Sequence, residues 1–117
     1  MAEAQSKVNS EIQSENNQPE VKYHIRPNRH FDYNSKTKEW NLEVHLPGVK
    51  KENIKFRVLP TYFDLEAIRD DVKYSLSGHF PWDVNVDEVK GSYENGLLYI
   101  KGKIKDPMDD AFSINLE

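Results

Sequence analysis

The sequence predicts an all-β protein, an antiparallel, immunoglobulin-like β-sandwich of seven to eight strands, and three observations carry that prediction. Apolar and polar residues alternate with a period of two in short runs through residues 21–104. Turn-forming residues interrupt those runs about every ten residues, the spacing of short strands in sandwiches. No stretch repeats apolar residues at the i, i+3, i+4 spacing of an amphipathic helix. Each run then has one apolar face, and two sheets packed through those faces bury all of them together.

Taken in order, Val21, Tyr23 and Ile25 alternate with Lys22 and His24 until Pro27-Asn28 breaks the run. Phe31 and Tyr33 make a second short strand, followed by the polar connection Asn34-Ser35-Lys36-Thr37-Lys38. Trp40, Leu42, Val44 and Leu46 alternate with Asn41, Glu43 and His45 in the clearest strand of the chain. Leu46-Pro47-Gly48-Val49 ends it, since proline cannot donate to a ladder and glycine admits unusual backbone angles. After the polar bend Lys50-Lys51-Glu52-Asn53, a strand carries Ile54, Phe56 and Val58 on one face and Lys55 and Arg57 on the other. Pro60-Thr61 turns the chain into Phe63, Leu65 and Ala67, and Arg69-Asp70-Asp71 turns it again into Val72, Tyr74, Leu76 and Phe80. Pro81-Trp82-Asp83 then leads through Val84–Val89 to a hairpin at Asn95-Gly96, the residue pair most tolerant of the positive φ angles of a two-residue turn. Beyond it Leu98, Ile100 and Ile104 share a face with Gly102, and Lys101 and Lys103 point the other way.

Two segments fall outside this pattern. Residues 1–20 hold Val8 and Ile12 as their only branched aliphatics, too little apolar surface to offset the entropy of ordering, so a disordered N-terminal arm is expected. Residues 105–117 form a polar, proline-broken C-terminal tail in which Ile114 and Leu116 stand two apart. An extended strand would put both on one side, the geometry of a peptide docking on a sheet edge.

Composition narrows the function classes. The chain has 117 residues, 31% of them charged, and a net charge of −4. One domain with a modest core fits that length, and the acidic balance argues against nucleic acid or an anionic membrane surface as partner. With no cysteine there is neither a disulfide framework nor a thiolate metal site. No apolar run approaches a membrane span and no signal-peptide pattern opens the chain, so a cytoplasmic protein is expected. His24, His30, His45 and His79 lack zinc-like spacing. Asp70-Asp71 and Asp109-Asp110 are adjacent pairs in predicted turns, where neighbouring side chains diverge, and read as solvated. Ser77-Gly78-His79 lacks the setting of a nucleophile elbow, and no glycine-rich phosphate loop occurs. Trp40, Trp82 and the tyrosines are expected to pack the core rather than cage a ligand. No enzyme, no metal and no cofactor is expected.

The runs Leu46-Pro47-Gly48-Val49-Lys50-Lys51-Glu52-Asn53-Ile54, Phe80-Pro81 and Tyr93-Glu94-Asn95-Gly96-Leu97-Leu98 together resemble the α-crystallin domain of small heat-shock proteins. The likeness extends from about Phe31 to Ile104. It implies an ATP-independent holdase that assembles into dimers or larger oligomers and binds partly unfolded client proteins. In that family a C-terminal Ile-x-Ile/Val motif plugs a groove between two strands of a neighbouring subunit, and Ile114-Asn115-Leu116 stands at the matching position. The groove walls correspond to residues 54–59 and 89–93. Ile54, Phe56 and Val58 share one face and Lys55, Arg57 and Leu59 the other. The sequence leaves open which face lines the groove; Ile54, Phe56, Val58 and Val89 are the candidates.

Two departures from the family pattern matter. The connection at Arg69-Asp70-Asp71 is too short to hold the strand that family members commonly exchange between subunits. The N-terminal arm also lacks the aromatic and aliphatic residues usual there. A short connection suits the related co-chaperone CS domain, a binding module on the same sandwich, which is the alternative reading.

Overall fold

Eight strands pair into two four-stranded sheets in the computed structural model, which describes residues 20–117. The strands are β1 (Tyr23–Ile25), β2 (Arg29–Asn34), β3 (Glu39–His45), β4 (Ile54–Leu59), β5 (Tyr62–Arg69), β6 (Val72–His79), β7 (Val84–Glu94) and β8 (Leu97–Ile104). One sheet has the order β1-β6-β5-β4 and the other β2-β3-β8-β7. Short 3-10 turns at Lys51–Asn53 and Pro107–Asp110 are the other regular elements among the described residues. The predicted sandwich is therefore the observed one. The arm expected at residues 1–20 lies, except for Glu20, outside the described residues.

Alternation decides what is buried. Trp40, Leu42 and Val44 on β3, Phe63, Leu65 and Ala67 on β5, Tyr74 and Leu76 on β6, and Leu98 and Ile100 on β8 all point between the sheets. Leu46, Val49, Phe80 and Val84 close the same core from the connecting segments and the start of β7. Burying an aliphatic or aromatic side chain of this size contributes about 1.5–3 kcal/mol, so this single cluster supplies most of the drive to fold. Its aromatic members touch in series: Trp40 and Phe80 have ring centroids 5.0 Å apart, Phe63 and Phe80 5.6 Å, and Phe56 and Phe63 5.8 Å. The tryptophans are core and flank, as expected of aromatics in alternating strands.

The turns follow their chemistry. Asn95 and Gly96 take φ of 54° and 81°, both positive, as the two-residue hairpin between β7 and β8 requires. Asp70 has φ 53° in the equally tight link from β5 to β6, where Arg69 pairs with Val72. No room exists there for an additional strand.

One pairing departs from the all-antiparallel expectation. β1 runs parallel to β6, with Tyr23 opposite Val72 and Ile25 opposite Tyr74. It is also shorter than the Val21–Ile25 alternation suggests, because Lys22 N and Tyr23 N both donate to Asp71 O, at 2.8 and 3.1 Å, before the ladder begins. No tight turn joins these two strands, so nothing local imposes an antiparallel direction.

Candidate functional site

Four strands stand at sheet edges: β1 and β4 in one sheet, β2 and β7 in the other. β4 and β7 lie on the same side of the sandwich and touch. The arrangement of side chains along this side follows from three local features.

The first is the alternation of β4. Ile54, Phe56 and Val58 are half-buried and pack against the core, whereas Lys55, Arg57 and Leu59 are exposed. The outward face is a wet, charged surface: Arg57 Nη2 lies 2.6 Å from Asp64 Oδ2 on β5, and that hydrogen bond and charge raise the Arg57 pKa above its ordinary value. The apolar row is held in register by β5, with Ile54 opposite Ala67, Phe56 opposite Leu65 and Val58 opposite Phe63.

The second is a bulge in β7. Asn85 pairs with Lys103 but the next paired residue, Lys90, faces Lys101, so Val86–Val89 loop out of the ladder opposite Gly102. Val84 upstream is buried, and strict alternation would keep residues 86 and 88 inward. The irregularity reverses the phase, leaving Val86 and Glu88 exposed and turning Val89 and Tyr93 toward the core. Gly91 falls between them on the same face. A Cβ there would lie 2.7 Å from Ile100 Cδ1, so the missing side chain makes room for a core isoleucine.

The third is a brace at one end. The Tyr93 hydroxyl is 2.7 Å from both Leu46 O and Val49 O and donates to this carbonyl pair. Leu46 N donates to Gly96 O at 2.7 Å, and a Cβ on Gly96 would sit 3.3 Å from Pro47 Cα. Arg69 Nη1 donates to Pro47 O at 2.9 Å from the other sheet. The Leu-Pro-Gly-Val turn and the Asn-Gly hairpin, 47 residues apart between Leu46 and Tyr93, are thus one contiguous structure that sets where β4 starts relative to β7.

All four sequence candidates, Ile54, Phe56, Val58 and Val89, therefore line the core-facing side of the two edge strands that meet. Gly91 and Tyr93, which lie within the 89–93 wall that the resemblance implies but are not among the four named candidates, share that face. The phase reversal that aligns 89, 91 and 93 is invisible in the residue pattern.

The other candidate element is the C-terminal segment. Lys105 N donates to Asp83 O at 2.8 Å, which fixes its root beside the start of β7. Asp106 Oδ1 caps the following 3-10 turn by accepting from Met108 N, and Lys105 Nζ lies 2.9 Å from Asp110 Oδ2 across it. The bond and charge from Asp110 raise the Lys105 pKa above its ordinary 10.5. Residues 111–117 have no regular secondary structure and are all exposed, with Ile114 77% and Leu116 92% accessible. Ile114 and Leu116 are not among the residues buried in or packed against the core.

The four histidines are dispersed over β1, β2, β3 and β6. Among the described residues no group of three or more metal-ligating side chains converges, and no helix is long and apolar enough to cross a membrane.

Eight strands in these two sheets, with a turn-braced open edge between β4 and β7, define the α-crystallin type of β-sandwich. Solved small heat-shock proteins have the same fold. Heat shock protein 16.0 from Schizosaccharomyces pombe is 16% identical, with a TM-score of 0.62 over 80% of this chain and 99% of that one. A small heat-shock protein from Xylella fastidiosa, 13% identical, has a TM-score of 0.64 over 80% of this chain and 97% of its own. HSP18.5 from E. histolytica is 15% identical, with a TM-score of 0.59 over 80% and 98% of the two chains. No protein-family model matches the sequence, and no curated protein is similar to it by sequence. The resemblance drawn from the two turn motifs holds at the level of fold.

Proposed function

We propose that this chain is an ATP-independent molecular chaperone of the small heat-shock type, a cytoplasmic holdase that keeps partly unfolded clients from aggregating. The observation that carries the reading is the pairing, in one chain with the α-crystallin fold, of a half-buried apolar row on an edge strand with exposed, alternating apolar residues in the tail. Ile54, Phe56, Val58 and Val89 form the walls of a groove between β4 and β7, and Ile114 and Leu116 of a second copy enter it. The arm 1–20, the sandwich 21–104 and the tail 105–117 then act as separate parts, the sandwich as scaffold and the tail as linker between copies. Clients present the same chemistry as the tail, short extended apolar segments that add to sheet edges and fill the groove.

The experiment is suppression of aggregation. Full-length protein at a stoichiometric ratio to a thermolabile enzyme is expected to abolish most of the light scattering that develops on heating. An unchanged scattering trace would refute the holdase. Sedimentation of the intact chain beside one ending after Asp110 is expected to show assemblies that the truncation dissolves.

A co-chaperone module of the CS type is the second reading, favoured by one observation: Asp70-Asp71 joins β5 to β6 directly, with no exchangeable strand. It predicts a monomer with or without the tail and no effect on heated clients.

A further inference from the structure

The exposed tail carries a third apolar residue in the same phase as the other two. Phe112, Ile114 and Leu116 alternate with Ser113, Asn115 and Glu117, so an extended backbone puts all three on one side. Phe112 is 89% accessible. An exposed phenyl ring is apolar surface available to a partner.

β4 has a matching set. Ile54, Phe56 and Val58 are three half-buried side chains at alternate positions. Both rows repeat every two residues of extended chain, about 6.7 Å, so three anchors on the tail meet three positions on the edge without a register slip. Charge is compatible with this match. Residues 106–117 contain Asp106, Asp109, Asp110 and Glu117 and no cation, while Lys50, Lys51, Lys55 and Lys90 are exposed along β4, its approach and β7, interspersed there with exposed Glu52, Asp87 and Glu88, and Arg57 is paired with Asp64. The root of the tail is shaped by the capped turn Pro107–Asp110 and the Lys105–Asp110 ion pair, and residues 111–117 beyond it are exposed.

We propose that Phe112 is the first of three anchors by which the tail of one copy docks along β4 of a second copy, making the recognised segment Phe-x-Ile-x-Leu rather than Ile-x-Leu. This rests on the tail-to-groove assembly proposed above and specifies which residues of the tail the groove reads. Removing a buried phenyl ring from such a contact weakens it about ten- to a hundredfold.

The test is a dilution series of the full-length chain followed by sedimentation velocity. Phe112→Ala and Ile114→Ala are each expected to raise the dissociation constant of assembly by about ten- to a hundredfold. Phe112→Leu, which keeps an apolar anchor, is expected to stay within about threefold of the parent, the size of a small change in burial. The exchange Phe112→Ser with Ser113→Phe keeps composition and moves the ring to the opposite side of the strand; it is expected to behave as Phe112→Ala. Because Phe112 is solvent-exposed in the isolated chain, none of these variants perturbs folding. If Ile114→Ala weakens assembly and Phe112→Ala does not, the third anchor is wrong and the tail-to-groove assembly stands. If the exchanged variant assembles like the parent, the register argument is overturned. If the chain is monomeric at all concentrations while its tail resists proteolysis, the tail docks on its own chain and the proposal fails together with the assembly on which it rests.

Discussion

Gly102→Ala probes the packing that holds β8, and through it β7, in place. Gly102 lies opposite Trp40 in the β3–β8 ladder, both on the core face. A Cβ at that position would stand 2.8, 2.9 and 2.9 Å from Cζ2, Cε2 and Nε1 of Trp40, closer than carbon contacts allow. The indole cannot swing aside, because the rings of Phe31 and Phe80 lie 6.2 and 5.0 Å from it. Overpacking of this kind costs about 1–3 kcal/mol, which for a domain of this size lowers Tm by about 4–8 °C per kcal/mol. Trp40→Phe removes the atoms in the clash, and also an Nε1 donor that is buried with no hydrogen-bond partner among the described residues, so the change relieves a penalty while it opens a void. The double variant is accordingly expected to be more stable than the sum of the single losses by about 1 kcal/mol or more. Urea unfolding followed by far-UV circular dichroism measures all four corners of the cycle. A Gly102→Ala protein within about 0.5 kcal/mol of the parent, or strictly additive losses, would refute the steric account.

Two further outcomes follow from the brace and the tail. Tyr93→Phe removes the hydroxyl that donates to Leu46 O and Val49 O and is expected to cost about 1–2 kcal/mol, with faster amide exchange concentrated at Val49–Ile54; uniform exchange through the domain would show that the hydroxyl does not hold that turn. Lys105 has its pKa raised from 10.5 by Asp110, so the ion pair contributes below the ordinary lysine value and is lost as pH rises through the raised one. A carbon NMR titration of Lys105 Cε is expected to show a midpoint above 10.5 that Asp110→Asn brings back, and that shrinks in high salt because both groups face solvent; identical midpoints in the two proteins would mean that the pair does not form.

Much of the fold was legible in the residues. The alternation of Trp40, Leu42, Val44 and Leu46 marks β3 and its buried face together, and Asn95-Gly96 marks a hairpin wherever flanking strands permit one. The apolar row of β4 was legible too, down to the assignment of Ile54, Phe56 and Val58 to one face. Direction and neighbourhood were not. The parallel course of β1 along β6 depends on residues that no turn connects, and the inward phase of Val89 depends on a bulge whose partner is Gly102, across the ladder.

Periodicity and turn chemistry act within about ten contiguous residues, through backbone sterics and the choice of buried face, so the sequence by itself determined that this chain is a stack of short, one-sided strands followed by a polar segment in which Ile114 and Leu116 alternate. Which edges stay open, and that Tyr93 ties the hairpin to the Leu-Pro-Gly-Val turn, was decided only when the two sheets met. Those features are made by hydrogen bonds and packing between residues as far apart as Leu46 and Tyr93, 47 positions along the chain, and no local pattern encodes a contact whose other half is absent from the window.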